Sequence, residues 1–229
     1  MLRRIAGVIS GRIQGREANS FCPVFCSQEK QQNETWGGSR KEMFLLVTGG
    51  SGSGKSEYAE SRVLKFGDEK RYYVATMMCF DEESRKRVER HRRMRSGKGF
   101  ITIERFLNLK DLELPGGENE EQKEEKPKNG KSTVLLECMS NLAANEQFDP
   151  AGSHQNAAGE IKTGIDRLLR KCDNLVVVTN EIFSDGIEYD QETRKYQKIL
   201  GEINCYMAEL ADEVVEVIYG IPCVWKSNK

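Results

Sequence analysis

An apolar run that passes directly into a glycine-rich loop sets the strongest limit on how this chain can fold. The stretch reads Phe44-Leu-Leu-Val-Thr-Gly-Gly-Ser-Gly-Ser-Gly-Lys-Ser56, and the next residues, 57–64, favour a helix. A buried strand, a glycine loop and a helix in this order are typical of a phosphate-binding loop, whose backbone N–H groups and helix N-terminus face phosphate oxygens. A glycine-serine linker fits this context poorly. We therefore expect the chain to bind a nucleotide.

The motif predicts individual contacts to a nucleotide and a magnesium ion. Lys55 is expected to reach the β- and γ-phosphates, and the Ser56 hydroxyl to ligate Mg²⁺. Glu137 ends a second apolar run, where a nucleotide-binding α/β protein keeps an acid beside the magnesium; the alternative is a strand-end residue that faces solvent. The loop residues expected to contact phosphate are Gly49, Gly50, Ser51, Gly52, Ser53, Gly54, Lys55 and Ser56.

The rest of the chain alternates strand patterns with helix patterns. Runs that favour strands lie at 71–76, 101–104, 132–137, 175–179 and 214–218, and the last of them closes the pattern. Such alternation implies a mostly parallel sheet with right-handed crossovers. We therefore expect an α/β fold, a mostly parallel sheet flanked by helices, of the P-loop nucleoside triphosphate hydrolase (RecA-like) kind.

Two segments fall outside this pattern. Residues 1–42 lack periodicity and are expected to be a disordered extension or the product of a start codon assigned too far upstream, since Met43 opens the first strand directly. Residues from about 110 to 131 are acidic and lysine-rich, which indicates a flexible, solvated insertion. One domain, 43–229, is therefore expected.

Composition narrows the class of protein. A net charge of -1 argues against general attraction to nucleic acid or membranes, and no run approaches membrane-spanning length. Several cysteines lie in or beside apolar runs, as buried thiols of a reducing compartment do, so a cytoplasmic location is expected. Cys22 and Cys26 form the one close pair and lack a second pair or a nearby histidine, which disfavours a zinc site.

A basic helix is expected at 81–95, and His91 lies in it among Arg87, Arg90, Arg92, Arg93 and Arg95. The cluster could be a solvated helix face or a nucleic-acid patch, although no aromatic residues are interleaved with it. Phosphate offers a third use, because arginines bind phosphate oxygens and nearby positive charge keeps imidazole neutral and nucleophilic. A covalent histidine–nucleotide intermediate is chemically reasonable, but the pattern does not establish it.

From Met43 to about Lys226 the chain resembles the bifunctional adenosylcobinamide kinase and adenosylcobinamide-phosphate guanylyltransferase family of cobalamin assembly. The order and spacing of several segments together carry this resemblance. These segments are Leu46-Val-Thr-Gly-Gly-Ser-Gly-Ser-Gly-Lys-Ser56, Tyr73-Val-Ala-Thr76, Arg87-Val-Glu-Arg-His-Arg92, Thr102-Ile-Glu104, Leu135-Leu-Glu-Cys138 with Asn145, Val178-Thr-Asn-Glu181 and Ala211-Asp-Glu-Val214.

The resemblance implies an enzyme with two steps. The first phosphorylates adenosylcobinamide with ATP or GTP; in the second, GTP guanylylates a histidine, which passes GMP to adenosylcobinamide phosphate. His91 matches the family's nucleophile, and a homotrimer with sites between subunits is also implied. Further nucleotide contacts implied by the match are Thr76, Met77, Arg92, Arg93, Arg95, Glu104 and Glu137.

Three departures from the family pattern bear on the kinase half. Gly52 stands where the family commonly has arginine, Gly186-Ile-Glu-Tyr189 lacks the family's proline, and Ser96 follows Arg95 where an Arg-Pro pair is common. A guanylyltransferase without kinase activity, or another small-molecule kinase with a phosphate loop, therefore stays open. A nucleotide-switched binding protein is the alternative from another class, and it would form no covalent bond to GMP.

Overall fold

The computed structural model describes residues 42–67, 70–78, 82–115, 131–184, 186 and 188–228. The expected extension, with Cys22 and Cys26, lies outside these ranges except for its last residue, and so does 116–130 of the expected insertion. The strands are β1 (Met43–Thr48), β2 (Lys70–Ala75), β3 (Phe100–Glu104), β4 (Ser132–Glu137), β5 (Asn174–Val178), β6 (Glu213–Ile218) and β7 (Ile221–Ser227). The α-helices are α1 (Lys55–Phe66), α2 (Glu82–Arg95), α3 (Met139–Phe148), α4 (Ala157–Lys171) and α5 (Gln191–Leu210), with short 3₁₀ turns at Leu109–Asp111 and His154–Asn156.

The strands form one sheet in the order β3-β2-β4-β5-β1-β6-β7. Every neighbouring pair is parallel except β6 and β7, which form an antiparallel hairpin at one edge. β1 lies between β5 and β6, so the strand that leads into the phosphate loop is central. The expected mostly parallel α/β fold of the P-loop kind is confirmed.

Strand register brings the ends of several strands to one edge of the sheet. Ala75 pairs with Glu104 on one side and with Glu137 on the other, and Glu137 pairs in turn with Val178. Open parallel sheets bind ligands beyond the carboxyl ends of their strands. The phosphate loop also leaves β1 at this edge, so the topology alone gathers the predicted site.

Both faces of the central parallel strands are covered, as parallel sheets require. Phe44 and Leu46 face a core shared with α3, α4 and α5, while Leu45 and Val47 face a second core built with α1. Alternate residues of a strand point to opposite faces, and continuous apolar runs such as β1 follow from burial on both sides. Among the helices of the described ranges, none has the length and apolar character that crossing a lipid bilayer requires.

Two parts of the structure differ from the sequence-based expectations. β6 is not the last strand of the sheet. A two-residue turn with positive φ at Tyr219 and Gly220 follows it, and the chain then pairs with β6 as the antiparallel strand β7. Pro222 is tolerated there because β7 is an edge strand. The first residues of the expected insertion, from about 110, are not a solvated loop. Leu112 and Leu114 are buried in the core beside α4.

Candidate functional site

The phosphate loop lies between β1 and α1, and its backbone needs glycine at defined points. Gly54 precedes α1 in the left-handed region, with φ at 91°. A Cβ on Gly49 would come 2.5 Å from the Val217 carbonyl oxygen, so no side chain fits there. Lys55 opens α1, is almost fully buried, and donates from its ammonium to the Gly50 carbonyl at 2.9 Å. The loop therefore brings a buried cation to a curved stretch of backbone.

Neighbouring elements hold this loop in place. The Glu181 N–H donates to the Gly49 carbonyl at 3.1 Å, and the Gly220 N–H, in the β6–β7 turn, donates to the Ser53 carbonyl at 2.8 Å. The guanidinium of Arg62 on α1 donates hydrogen bonds to both carboxylate oxygens of Glu213 on β6, at 2.7 and 2.8 Å. This ion pair raises the pKa of Arg62 above its ordinary value and ties the helix that follows the loop to the sheet.

Glu137 reaches the phosphate loop from the end of β4. The Ser56 hydroxyl donates to its Oε1, and the Tyr73 hydroxyl donates to its Oε2 at 3.0 Å. The structure thus brings together the two residues that the sequence assigned to magnesium. A hydroxyl and a carboxylate are the oxygen donors that Mg²⁺ uses in proteins, with substrate phosphates and water supplying the remainder. The donor set fits a magnesium ion shared with a bound triphosphate.

Tyr73 is a site residue that the sequence reasoning treated only as part of a strand. Its side chain is buried between β2 and the end of α2, and burial, with the Glu137 charge next in importance, raises the pKa of its hydroxyl well above the usual range. The hydroxyl therefore keeps its proton and acts as a donor. Alternation along β2 turns Tyr72 to the opposite face, where its hydroxyl donates to the Pro115 carbonyl at 2.6 Å.

Thr76 and Met77, predicted together as nucleotide contacts, occupy different environments. Thr76 is fully buried, and its hydroxyl both donates to the Cys138 carbonyl and accepts from the Cys138 N–H, each at 2.8 Å. It fastens the end of β2 to the end of β4, and Asn145 adds a bond to its carbonyl. Met77 lines the cavity beside the phosphate loop. Nucleotide contact by either residue stays a prediction.

The basic helix is present as α2, and it forms one wall of the same cavity. Arg90 and Arg92 line it, and Arg92 pairs with Glu104 at the end of β3, at 2.9 Å. Arg93 is exposed. His91 lies between Arg90 and Arg92 in the backbone of α2, and the side chain of His91 lies outside the described part of the chain.

Arg95, at the end of α2, is held differently from the other arginines. Its side chain is 5% exposed, its guanidinium carbon lies 3.3 Å from the centroid of the Tyr73 ring, and Nη1 lies 4.0 Å from Oε1 of the buried Glu60. Among the described residues, no hydrogen-bond partner meets its Nε or Nη1. The arginine is therefore stabilised by the ring face and by the acid.

One cavity of about 950 Å³ joins these parts. It runs from the phosphate loop past Glu137 to α2 and to Glu104 at the end of β3. Asn141 and Asn180 also line it. The sequence did not single out either as a site residue, because an isolated asparagine carries no periodic signal. Among the described residues that line the cavity, five carry cationic side chains and four carry carboxylates. The cationic side chains are the groups that could bind phosphate oxygens. They are Lys55, Arg85, Arg90, Arg92 and Arg95, and the carboxylates are those of Glu57, Glu89, Glu104 and Glu137.

Solved structures of similar topology are distant from this chain. The flagellar accessory protein FlaH from Methanocaldococcus jannaschii is 12% identical with a TM-score of 0.39, over 84% of this chain and 81% of that one. A prototypical ATPase from the type III secretion system of pathogenic bacteria is 8% identical with a TM-score of 0.45, over 80% and 57%. At these values the fold assignment rests on the strand order and the phosphate loop described above.

Sequence relatives are much closer. The bifunctional adenosylcobalamin biosynthesis protein CobU of Escherichia coli (strain K12) is 31% identical over 191 residues, which cover 78% of this chain and 97% of that protein. The protein of the same description from Salmonella typhimurium is 29% identical over the same shares. Residues 45–224 match the family described as cobinamide kinase / cobinamide phosphate guanyltransferase. This match spans the phosphate loop, α2 and the Glu137 strand, and the chain therefore belongs to the CobU family of cobinamide kinases and cobinamide phosphate guanyltransferases.

Proposed function

We propose that this enzyme phosphorylates adenosylcobinamide with ATP or GTP and then transfers GMP from GTP to the product, giving adenosylcobinamide-GDP. The observation that carries the proposal is a single cavity with two kinds of wall. One wall is the phosphate loop with Glu137, and the other is α2, the helix that contains His91. A kinase step needs the phosphate loop and Glu137, and a guanylyl transfer through histidine needs the helix that contains His91.

In the kinase step, the loop N–H groups and Lys55 bind the triphosphate. Ser56 and Glu137 would hold Mg²⁺, which when bound would supply positive charge against the phosphates. The proposed acceptor is the aminopropanol hydroxyl of adenosylcobinamide, whose oxygen bonds to the γ-phosphorus as the bond to the β-phosphate oxygen breaks. The hydroxyl proton leaves with solvent or a cavity carboxylate. The protein forms no covalent bond in this step. Most of the rate acceleration therefore comes from positioning the reactants and from electrostatic stabilisation of the transition state.

In the guanylyl step, a neutral imidazole nitrogen of His91 attacks the α-phosphorus of GTP. A phosphorus–nitrogen bond forms, the bond to the β-phosphate oxygen breaks, and pyrophosphate leaves. A phosphate oxygen of adenosylcobinamide phosphate then attacks the same phosphorus, which releases the histidine. Arginines of α2 would stabilise the charge on the leaving pyrophosphate; Arg90 and Arg92, which flank His91 and line the cavity, support this role.

The covalent step is tested with α-labelled GTP and Mg²⁺, followed by denaturing electrophoresis and intact mass. The chain has two histidines, so His154→Ala is a matched control for His91→Ala: His154 is exposed, and its Nδ1 lies 3.1 Å from the Gln147 carbonyl. Label that survives base but not acid is expected in wild type and His154→Ala, and absent in His91→Ala. No label in any of the three, with nucleotide binding intact, would refute the GMP transfer.

A guanylyltransferase without kinase activity is the second candidate, and Gly52 is the observation that favours it. A Cβ at Gly52 meets nothing within 4 Å, so the space beside the loop is open where the family commonly has arginine. Transfer from γ-labelled ATP to adenosylcobinamide separates the two candidates. Label in the corrinoid supports the kinase activity. Label on the protein from α-labelled GTP, with none in the corrinoid from γ-labelled ATP, supports the second candidate.

The assembly and location form part of the proposal. We expect a homotrimer, as the family resemblance implies, without affinity for nucleic acid, working in the cytoplasm. The buried free thiols of Cys138 and Cys172 suit a reducing compartment. Light scattering coupled to size exclusion measures the assembly, and a mass of one or two chains at working concentration would contradict it.

A further inference from the structure

The carboxylate of Glu137 is held from two sides by side chains of different elements. Ser56, at the start of α1, donates to one oxygen, and Tyr73, on β2, donates to the other. A carboxylate that ligates or orients a metal through one oxygen depends on the bonds at its other oxygen for its angle. Nothing in the family description or in the phosphate-loop pattern assigns this task to the tyrosine.

The ring of the same tyrosine is fixed by two further contacts. The Arg95 guanidinium lies over its face at 3.3 Å, and Phe100 meets it edge-on, with the ring centroids 6.5 Å apart and the planes at 83°. Tyr73 and Arg95 are both buried. A cation over an aromatic face is stabilised most when both are desolvated, as they are here. The ring therefore cannot turn without displacing the end of α2.

Arg95 in turn connects the ring to a charged pair on α1 and the turn after α2. Its Nη1 lies 4.0 Å from Glu60, which also accepts from the Lys98 ammonium at 2.6 Å. Arg95 lies four residues after His91 in the same helix. A continuous set of contacts thus runs from the helix that carries the proposed nucleophile, through Arg95 and Tyr73, to the carboxylate beside Ser56.

We propose that Tyr73 is a positioning residue: its hydroxyl orients Glu137 for the metal-bound triphosphate, and its ring, covered by Arg95, links that orientation to the placement of α2. The inference rests on the proposed function, because it assigns a role within that site. It predicts two separable effects. Loss of the hydroxyl weakens magnesium-dependent binding, and loss of the ring also slows chemistry at His91.

The first test compares Tyr73→Phe with Tyr72→Phe. Both wild-type residues are buried tyrosines on β2, and both hydroxyls donate one bond, but Tyr72 donates to the Pro115 carbonyl on the opposite face. A bond to a charged acceptor is worth about tenfold or more in an equilibrium. Calorimetry should show ATP affinity about tenfold weaker in Tyr73→Phe with Mg²⁺, and unchanged when Mg²⁺ is removed by EDTA. Tyr72→Phe should match wild type in both conditions.

The second test measures covalent labelling by α-labelled GTP at saturating Mg²⁺. At saturating GTP, Tyr73→Leu and Arg95→Met should label more slowly than Tyr73→Phe, which lacks the hydroxyl but keeps the ring. Circular dichroism verifies that each variant is folded. If Tyr73→Leu does not fold, Arg95→Met tests the link from the helix side.

Two results would overturn the inference. Equal magnesium dependence in Tyr73→Phe and Tyr72→Phe would show that the hydroxyl only stabilises the fold, and equal labelling rates in all ring and arginine variants would remove the link to α2. Failure of the proposed function looks different, because wild type itself would not label. The calorimetric comparison would still report on Tyr73 in that case.

Discussion

Two helix glycines make a matched pair whose replacement by alanine should change stability in opposite directions. Gly164 lies within α4 and Gly201 within α5, and neither has a positive φ. A Cβ on Gly164 would lie 2.8 Å from both Cβ and Cγ of Leu109, while a Cβ on Gly201 would meet only Phe183 ring atoms, at 3.7 and 3.8 Å. Leu109 is itself buried, and its Cβ is fixed to the backbone, so it cannot move aside as the end of a flexible side chain could. The first site is therefore overfilled by alanine, and the second is not.

The magnitudes follow from two opposing terms. Alanine in place of glycine within a helix stabilises by about 1 kcal/mol, and overfilling a packed core costs about 2 kcal/mol. Gly201→Ala should therefore raise the free energy of unfolding by about 1 kcal/mol, and Gly164→Ala should lower it by about the same amount. For a chain of this length the two variants should differ by roughly 4 to 8 °C in Tm.

Urea unfolding followed by far-ultraviolet circular dichroism measures both variants against wild type, at one protein concentration because assembly adds to apparent stability. Wild-type m-values in both variants would show that the change lies in the folded state. If Gly164→Ala is as stable as Gly201→Ala, the contact between α4 and Leu109 is looser than described and the packing argument fails.

Three further predictions test other parts of the structure. Gly49→Ala should abolish nucleotide binding measured by calorimetry, because its Cβ would collide with a backbone oxygen at 2.5 Å and its φ of +148° suits glycine; retained affinity would mean that the loop can shift. Burial raises the pKa of Cys172, so N-ethylmaleimide should label exposed Cys205 much faster in the folded enzyme, as read by peptide mass; equal rates would contradict the burial. Asp190 caps α5 by accepting from the N–H and hydroxyl of a threonine in its first turn, which lowers the pKa of Asp190. The stabilisation by the ionised Asp190 carboxylate is fully present above the pKa of Asp190 in the unfolded chain, and it is lost as pH falls through the lower pKa of the folded chain. Below about pH 4, the Tm of Asp190→Asn should therefore fall less with pH than the Tm of wild type. Parallel plots of Tm against pH for the two proteins would refute this role.

The parts of the site that sequence could predict are those that local order or strand direction determines. The phosphate loop needs only the residues from Phe44 to Ser56 in order. The approach of Glu137 to Ser56 followed from a general property of parallel sheets, whose carboxyl ends share an edge. Neither inference required knowledge of which helix covers which face.

The parts that sequence missed depend on long-range packing. Tyr72 and Tyr73 are adjacent, and alternation says that one faces each side of the sheet, but it does not say which side holds the nucleotide. β7 was not predicted because Pro222 in this run argues against a central strand, and the run is an exposed edge strand without a buried face. The burial of Leu112 and Leu114 was not predicted, because these two leucines stand among acidic residues in a stretch that is polar as a whole.

The position of β1 between β5 and β6 has a consequence for synthesis on the ribosome. β1 and its phosphate loop are made long before their sheet neighbours, Asn174–Val178 and Glu213–Ile218, and before the turn whose Gly220 N–H meets Ser53. Until those segments emerge, the apolar β1 has no strand beside it and the loop has no support. Pairing of such distant segments is slow, and unpaired strand edges are prone to aggregation. Nucleotide can therefore assist folding only after Glu213–Ile218 and Gly220 have emerged, and a nascent chain stalled before Glu213 should not be retained on a nucleotide resin.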